Sequence, residues 1–500
     1  MKRFVTCLLA LVLLTSTLLF TVSCGGGEEN EDTLNLGEIS TDADGLRYDE
    51  NGYLMDDLPE DLNFGGTDVN IFTCTEFATE MCPTEFNNTA LNDASYTRNK
   101  IIEGRLGIKL NFVLEYGVPT ATGIYEGFTS KLSNAVNAGT GDYDAVAGFS
   151  LGPAAWAMNG YTLNLNDVKY LDFEKPWWSY SVLENAFYDS IYYASTNCSG
   201  SVLSEMTVTY YNRQMLVENG IADPESLALE GKWTIDKLFQ YAKGLGKDTN
   251  PNEQEDFDDT FGLVFRHAVF TDSLFYGTGF NLTRNNPNTG LPEFTLYDKG
   301  EMERAVDLIK SIISAVATRD VTLTKNAGEG DAAVKIMSEN RTALYISYLK
   351  DVSAIPDSKI WGIIPTPKLD ESQEEYITTA NNDFDMWCIP KDAKNPDMTG
   401  AIMEAYASGC YRTVAPAYYD ENLSYRYSNN ENGLVIFAEI RQNLKLDFGR
   451  LNSFAIGTID EIIRDAYRKE NNTFSQSWVS NQKSYKKMLN KVIESYNVGE

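Results

Sequence analysis

Three apolar stretches decide the fold: VNIFT at residues 69–73, IKLNFVLE at 108–115 and DAVAG at 144–148. In the middle stretch apolar side chains alternate with polar ones from Ile108 onward, which is the period of a β-strand. The sequences between the stretches carry apolar residues at helical spacing, and Gly107 is placed to end the first helix as a C-terminal cap. Strand and helix therefore alternate as βαβαβ, an order that builds a parallel sheet with right-handed crossovers.

Ligands of such open sheets bind beyond the carboxyl ends of the strands. Thr75 and Glu76 directly follow the first strand, and Phe149 and Ser150 follow the third. These four residues are therefore placed where a ligand would be expected.

A second α/β unit is predicted further along the chain. Short β-rich runs occur at 208–211, 261–265, 343–347, 361–365 and 386–389, and residues 301–316 show one apolar helical stripe. Roughly 430 residues follow the N-terminal region, which is more than one ordinary domain holds and indicates two lobes.

The N-terminus has the pattern of a secretory signal: Lys2 and Arg3, an apolar run over 4–20, and small residues up to Cys24. The apolar run is close to the shortest that spans a bilayer, so an uncleaved anchor stays open. Residues 25–66 are polar and acidic, and we expect them to form a flexible tether.

The formal net charge is -31, from 41 basic and 72 acidic residues. Such a chain repels polyanions, which argues against nucleic acid and anionic lipid surfaces as partners. The acidity also serves solubility, and it does not reveal the charge of a ligand.

The seven cysteines show no paired CxxC metal pattern. Cys74 and Cys82 could form one disulfide in an oxidising compartment, although a chain of this size does not need one to fold. Buried free thiols are the favoured prediction.

Most catalytic site types are excluded by composition. His267 is the single histidine, which removes multi-histidine metal centres and leaves one imidazole for any triad. No GxSxG elbow, phosphate loop or dinucleotide fingerprint is present. A glycoside hydrolase needs only two carboxylates, so it stays open as an alternative, as does a surface adhesin.

Six segments together resemble the extracellular solute-binding proteins of ABC importers, and more narrowly those that bind sugars and oligosaccharides. They are GDYDAVAGF (141–149), VTYYNRQMLVENGIADPES (208–226), GKWTIDKLFQYAK (231–243), TALYISYL (342–349), WGIIPTPKLDESQEEY (361–376) and WCIPKDAKNPDMTGAIMEAYAS (387–408). The N-terminus is similar to a bacterial lipoprotein signal, with Ser23 before a lipidated Cys24. Thr21 stands where that motif usually has leucine, and simple secretion with an incidental Cys24 stays open.

The resemblance implies a two-lobed, periplasmic-binding-protein-like α/β fold with a hinged cleft between the lobes. On that template residues 1–24 are the signal peptide and 25–66 the tether. The first lobe takes 67–207 and about 371–445, and the second takes 208–370 and about 446–500. Chain crossovers are expected near 205–212, near 370–383 and after 432.

The resemblance also implies a function. The chain would be exported, held by lipid on Cys24 at the outer face of the bacterial cytoplasmic membrane, or located in the periplasm or at the cell surface. It would capture a carbohydrate as a monomer and deliver it to the permease subunits of an ABC transporter, with no catalytic residue, metal or cofactor.

Sugar recognition needs flat aromatic surfaces together with amide or carboxylate groups. Position in the predicted sheets and the resemblance together indicate nine binding residues: Glu76, Phe149, Ser150, Trp178, Glu205, Phe270, Tyr348, Asn382 and Asp383.

Each of these residues has a plainer alternative. Trp178 could be buried under the first lobe, Glu205 could form a surface salt bridge, and Phe270 could pack in the core. Asn382 and Asp383 are also common turn formers. Packing is the expected role of three other tryptophans: Trp233, Trp361 and Trp387.

Overall fold

A computed structural model describes residues 39–117, 126–249, 252, 256–266, 269–324, 329–355, 360–423, 431–469 and 472–496. Thirteen strands are present in this part of the chain: β1 Ser40–Thr41, β2 Arg47–Tyr48, β3 Thr67–Cys74, β4 Ile108–Glu115, β5 Ala145–Phe149, β6 Thr207–Asn212, β7 Phe261–Arg266, β8 Thr283–Asn285, β9 Pro292–Phe294, β10 Val321–Thr324, β11 Thr342–Tyr348, β12 Trp361–Pro365 and β13 Asp385–Cys388.

The α-helices of the described residues are α1 Ala78–Met81, α2 Ala90–Leu106, α3 Glu126–Ala138, α4 Gly152–Met158, α5 Ser181–Glu184, α6 Gly200–Glu205, α7 Arg213–Glu218, α8 Glu225–Leu229, α9 Ile235–Ala242, α10 Val269–Gly277, α11 Lys299–Val316, α12 Gly330–Ser338, α13 Pro396–Gly409, α14 Ala415–Asn422, α15 Glu431–Gln442, α16 Phe448–Leu451, α17 Ser453–Ile456, α18 Asp460–Arg468 and α19 Phe474–Tyr496. Shorter turns include the 3-10 helices Thr75–Phe77 and Leu349–Ala354 and the π-helix Cys410–Val414.

The first sheet has the strand order β13-β5-β3-β4. Strands β3, β4 and β5 are parallel, as their βαβαβ order predicts, and β13 is antiparallel to β5 with Asp385 opposite Phe149. The helix before β4 ends where Gly107 adopts φ 59°, a left-handed conformation that glycine enters without steric cost. This sheet and the helices packed on it form what we call the first unit.

The second sheet has the order β10-β7-β11-β6-β12. Strands β10, β7 and β11 are parallel, whereas β6 runs antiparallel to both β11 and β12. In helix α9, Thr234 is the expected N-cap, since its side chain accepts the backbone N–H of Lys237. The second sheet and its helices form the second unit, so the prediction of two α/β lobes is confirmed.

Three tryptophans adjoin the regular elements of both units. Trp233 and Trp361 are fully buried, and Trp387 is 2% exposed. The packing role predicted for them is confirmed.

Residues 39–66 do not form the flexible tether that their polar, acidic composition predicts. Met55 and Leu58 are buried, and the fully buried carboxylate of Asp56 lies 2.7 Å from Arg105 of α2 and 3.9 Å from Arg412. The backbone N–H of Phe64 donates to the Leu106 carbonyl at 2.8 Å. This segment is therefore part of the first unit. Residues 1–38, which hold the signal and Cys24, lie outside the described residues.

Cys74 and Cys82 are both free thiols, as are the other three cysteines of the described chain. Burial raises the pKa of the Cys74 thiol to about 12, which keeps it protonated and unreactive. Among the described helices, none combines the length and apolar character needed to cross a bilayer.

Candidate functional site

The two units are joined by neighbouring chain segments that pair through backbone hydrogen bonds. The first crossing leads from α6 into β6, and the second lies between β12 and β13. Thr207 N–H donates to the Thr379 carbonyl at 2.8 Å, and Asn381 N–H donates to the Glu205 carbonyl at 2.9 Å. The first crossing thus pairs with the second through residues 205–207 and 379–381.

A third segment pairs with the second crossing on its other side. Thr378 N–H donates to the Asn443 carbonyl at 3.0 Å, and Lys445 N–H donates back to the Thr378 carbonyl at 2.9 Å. Arg450 reinforces the pairing by donating from Nη2 to the Ala380 carbonyl at 2.7 Å. We call residues 205–207, 378–381 and 443–445 the crossing ribbon.

An open cleft with about 1310 Å³ of empty volume borders the first crossing. Three predicted binding residues line it, namely Glu76, Glu205 and Asp383. The remaining polar lining includes two further carboxylates, two amides and several hydroxyl groups: Glu80, Glu421, Asn87, Asn92, Ser201, Ser204, Thr79 and Thr89. The aromatic side chains of Phe77 and Tyr418 also contribute to the wall.

Glu76 lies just beyond the carboxyl end of β3, as the sheet topology predicts. Its side chain is exposed, and Oε2 accepts the backbone N–H of Gly117 at 3.2 Å. A carboxylate in this position can accept hydrogen bonds from a ligand in the cleft.

Phe149 and Ser150 follow the neighbouring strand but lie within the protein. Phe149 is 3% exposed, and the buried Ser150 Oγ donates to the Asn382 carbonyl at 2.7 Å. Both residues support the segment that carries Asp383, and neither lines the cleft. The two residues are covered because β5 and the segment before β13 pack directly together.

Glu205 is the most tightly held carboxylate of the cleft. Oε1 accepts from Lys350 Nζ at 2.5 Å, and Oε2 accepts from Asn381 Nδ2 at 3.0 Å. Burial raises the pKa of Glu205, and the charge of Lys350 opposes that rise. The alternative role of a salt bridge is thus realised inside the cleft, with the Glu205 side chain only 5% exposed.

Asp383 continues the same row of polar groups. Asn381 Nδ2 lies 3.2 Å from its Oδ2, so one amide contacts both carboxylates. Burial raises the pKa of Asp383, against the lowering effect of Lys350. Lys350, Glu205, Asn381 and Asp383 form what we call the polar row, of which Glu205 and Asp383 line the cleft.

Tyr348 ends strand β11 of the second unit and approaches the polar row. Its ring centroid lies 4.8 Å from Lys350 Nζ, and its carbonyl accepts the hydroxyl of Tyr210 at 2.8 Å. Burial comes first among the causes that raise the pKa of Tyr348 well above its ordinary value, and nearby Glu205 adds to it. The residue is 7% exposed, so most of its ring is covered.

Helix α6 fixes the position of Glu205 through its own N-terminus. The backbone N–H groups of Gly200 and Ser201 donate to the Glu80 carboxylate at 2.6 and 2.8 Å. Ser201 Oγ also donates to Asp385 Oδ1 at 2.6 Å. Burial, followed by the charge of Asp385, raises the pKa of Glu80 to about 7. The helix is thereby anchored to β13 and to the first unit.

Trp178 does not lie in the cleft, contrary to the prediction. It is 4% exposed, its ring meets Phe173 edge-on at 5.2 Å, and its Nε1 donates to Glu404 Oε2 at 2.9 Å. The neighbouring Trp177 donates to Oε1 of the same carboxylate at 3.0 Å. The pair is buried because Glu404 satisfies both indole N–H groups inside the first unit.

The side chain of Phe270 and the whole of His267 lie outside the described residues. Asn382 is partly buried, and its carbonyl accepts the Ser150 hydroxyl.

Sequence reasoning missed Asn381, Lys350 and Tyr418. A signal existed for two of them, because Asn381 directly precedes the predicted Asn382 and Lys350 follows the predicted Tyr348 by two positions. Tyr418 lies in a helix more than 200 residues from Glu205, and no local pattern connects the two. Across the described ranges, no cluster of three or more His, Cys, Asp or Glu side chains is placed to hold a metal ion.

Comparison with protein families and solved structures agrees with this architecture. A family model described as bacterial extracellular solute-binding protein matches residues 118–409. Curated protein sequences gave no match.

Three solved structures are similar in fold over most of the chain. A cyclo/maltodextrin-binding protein complexed with maltotetraose has a TM-score of 0.52 at 15% identity, covering 87% of this chain and 97% of its own. A Listeria monocytogenes ABC substrate-binding protein in complex with cycloalternan has a TM-score of 0.51 at 13% identity, covering 86% of this chain and 99% of its own. The maltose-binding protein of Listeria monocytogenes in complex with maltose has a TM-score of 0.51 at 14% identity, covering 87% of this chain and 99% of its own. These similarities establish the two-lobed fold.

Proposed function

Because this chain belongs to the bacterial extracellular solute-binding proteins, we propose that it captures a carbohydrate, specifically an oligosaccharide, for import by an ABC transporter. Members of this family bind their substrate and are not enzymes, which sets aside the glycoside hydrolase alternative. The fold comparison places the chain among two-lobed binding proteins.

The polar row beside the crossing ribbon is the observation that carries the proposal. Glu205 and Asp383 present carboxylate oxygens within reach of one amide, next to the aromatic ring of Tyr348. Carboxylates and amides match the hydroxyl groups of a sugar, and an aromatic ring matches its apolar C–H face. The cleft is open to solvent and not enclosed, so it does not restrict the ligand to a single sugar unit.

The solutes of the structurally similar proteins support an oligosaccharide as the class to test first. Maltotetraose and cycloalternan are bound in two of them, and maltose in a third. At 13 to 15% identity the site residues of this chain are its own, so the particular sugar has to be measured.

A thermal-shift screen tests the proposal directly. The panel holds maltose, maltotetraose, cycloalternan, mannotriose, free amino acids and dipeptides. A ligand at a hundredfold its dissociation constant adds about 2.7 kcal/mol to the free energy of unfolding, which raises the melting temperature. A shift with amino acids or dipeptides but with no carbohydrate would contradict the proposal.

Two further measurements separate the proposal from its alternatives. Chromatography of the carbohydrates after incubation should recover them unchanged, whereas a glycoside hydrolase would release shorter products. Small-angle scattering should show a smaller radius of gyration with solute than without it, since closure around a ligand compacts a two-lobed protein. A surface adhesin without a closing cleft would give the same radius in both states.

The subcellular location of the chain is part of the proposal. It is exported, carries lipid on Cys24 at the outer face of the cytoplasmic membrane, and delivers its solute as a monomer to the permease subunits. Support comes from the signal-like N-terminus and from the extracellular character of the family. Metabolic labelling with an alkyne fatty acid should mark the wild-type protein but not Cys24→Ser, and light scattering after gel filtration should give the monomer mass.

A further inference from the structure

Lys350 belongs to the second unit and contacts a carboxylate that lines the cleft. It lies in the short helix Leu349–Ala354 directly after β11, and its ammonium contacts Glu205 Oε1 at 2.5 Å. The same ammonium stands 4.8 Å from the centroid of the Tyr348 ring. One side chain of the second unit therefore lies against both a carboxylate of the cleft and the aromatic ring of Tyr348 next to it.

The two partners of this ion pair differ sharply in exposure. The Glu205 side chain is 5% exposed, whereas that of Lys350 is 43% exposed. Glu205 is also held by Asn381 through Oε2, so its carboxylate is fixed independently of the lysine. Lys350 can therefore swing toward water on its flexible four-carbon stem while Glu205 stays in place.

We propose that Lys350 is an internal occupant of the solute site, whose ammonium holds the places on Glu205 and Tyr348 that a sugar takes. When a solute binds, one of its hydroxyl groups replaces the ammonium on Glu205 Oε1, and a sugar ring replaces it over Tyr348. This inference rests on the proposed function, because it assigns a regulatory residue to the same carbohydrate site.

Displacement of Lys350 lowers the affinity that is measured, since a charge-assisted hydrogen bond and a cation–π contact are broken before the solute is held. The lysine also keeps the carboxylate and the ring paired in the absence of solute. Removing Lys350 should therefore strengthen solute binding, whereas removing a residue that contacts the solute would weaken it.

The affinity test uses Lys350→Met, which removes the charge and retains the length, and Lys350→Ala, which removes the stem as well. Both variants are titrated calorimetrically with the panel carbohydrate that stabilises the wild type, beginning with maltotetraose. We expect dissociation constants roughly tenfold lower than that of the wild type, as loss of one competing charged hydrogen bond implies. Weaker binding by both variants would show that Lys350 contacts the solute and would overturn the inference.

Lys310→Met is the matched control. Lys310 is 61% exposed and pairs with Asp307 at 3.2 Å on helix α11, so its ion pair involves neither Glu205 nor Tyr348. Its substitution should leave the dissociation constant unchanged. Melting curves without solute confirm that each variant is folded before it is titrated.

A second test needs no solute. Hydroxyl-radical footprinting, read by peptide mass spectrometry, should oxidise Tyr348 several times more in Lys350→Ala than in the wild type, because the ring loses one of its two neighbouring cations while Arg266 stays 6.0 Å from its centroid. Equal oxidation in both proteins would overturn the inference even if a carbohydrate binds. If no carbohydrate binds but oxidation increases as expected, the proposed function fails while the covering role of Lys350 stands.

Discussion

Asn381 binds Glu205 twice: its backbone N–H donates to the Glu205 carbonyl at 2.9 Å, and its Nδ2 donates to Oε2 at 3.0 Å. The first bond joins two crossings of the ribbon, and the second orients a carboxylate of the cleft. Movement at the crossings and the geometry of the polar row are therefore coupled through one residue.

Asn381→Ala should weaken solute binding by roughly tenfold, since Glu205 and Asp383 lose the amide that holds both of them. The backbone pairing with Glu205 persists, so the free energy of unfolding should fall by only about 1 kcal/mol. Calorimetric titration and urea unfolding measure the two effects. Asn159→Ala is the control, because Asn159 Nδ2 bonds only the exposed Ala155 carbonyl of α4. Unchanged affinity in Asn381→Ala would place the solute elsewhere.

Trp178→Phe should lower the free energy of unfolding by about 1–3 kcal/mol and leave solute affinity unchanged. The buried Glu404 loses one indole donor and keeps the weaker bond from the Asp172 backbone N–H at 3.3 Å on the same oxygen, while the apolar ring is largely retained. Urea unfolding and calorimetry are the measurements. Tyr180→Phe, at a position 62% exposed, is the control and should change neither quantity. Reduced solute affinity of Trp178→Phe would show that Trp178 belongs to the binding site after all.

Glu404 should make stability depend on pH. Burial raises its pKa to about 8, so between its unfolded pKa near 4.5 and pH 8 the folded chain binds more protons than the unfolded chain. The contribution of this group to stability is therefore greatest below pH 4.5 and is lost as the pH rises toward 8.

Glu404→Gln tests this relationship, because glutamine stays neutral over the whole range. The variant should be less stable than the wild type at pH 5, by about 1 kcal/mol for the altered hydrogen bonds to the indoles. Its deficit should shrink or reverse by pH 8.5. Urea unfolding at several pH values gives the comparison, and parallel stability profiles would contradict the assigned shift.

Asp56→Asn should destabilise the first unit by about 3–5 kcal/mol, the usual effect of removing one partner from a buried ion pair. Asp56 is fully buried against Arg105, with Arg412 also within 4 Å. Glu60→Gln is the control, since the Glu60 side chain is 80% exposed beside Arg47 and should change stability by less than about 1 kcal/mol. Urea unfolding measures both. Equal stability of Asp56→Asn and the wild type would mean that residues 39–66 are not held as described.

The sheets could be predicted because their signals are local. Alternation from Ile108 onward and the apolar runs around Val69 and Ala145 coincide with β4, β3 and β5. The same topology placed Glu76 at the edge of the sheet, and the resemblance placed Glu205 and Asp383 at the crossings.

The wrong predictions concern residues whose contact partners are distant in the sequence. Nothing near Trp178 reveals that Glu404, 226 residues away, accepts its indole N–H. The acidic composition of 39–66 likewise hides the contacts of Asp56 with arginines of two separate helices. Composition reports how polar a segment is, whereas order depends on whether each buried charge finds a counter-ion.

The burial of Met55, Asp56 and Leu58 shortens the segment that can link a lipid on Cys24 to the folded protein. With lipid on Cys24, only the 14 residues from 25 to 38 separate the anchor from the packed segment, and they reach at most about 50 Å. With the proposed lipid on Cys24, the first unit would be the attached one, so the second unit would make the larger movement relative to the membrane whenever the two units bend about the crossing ribbon.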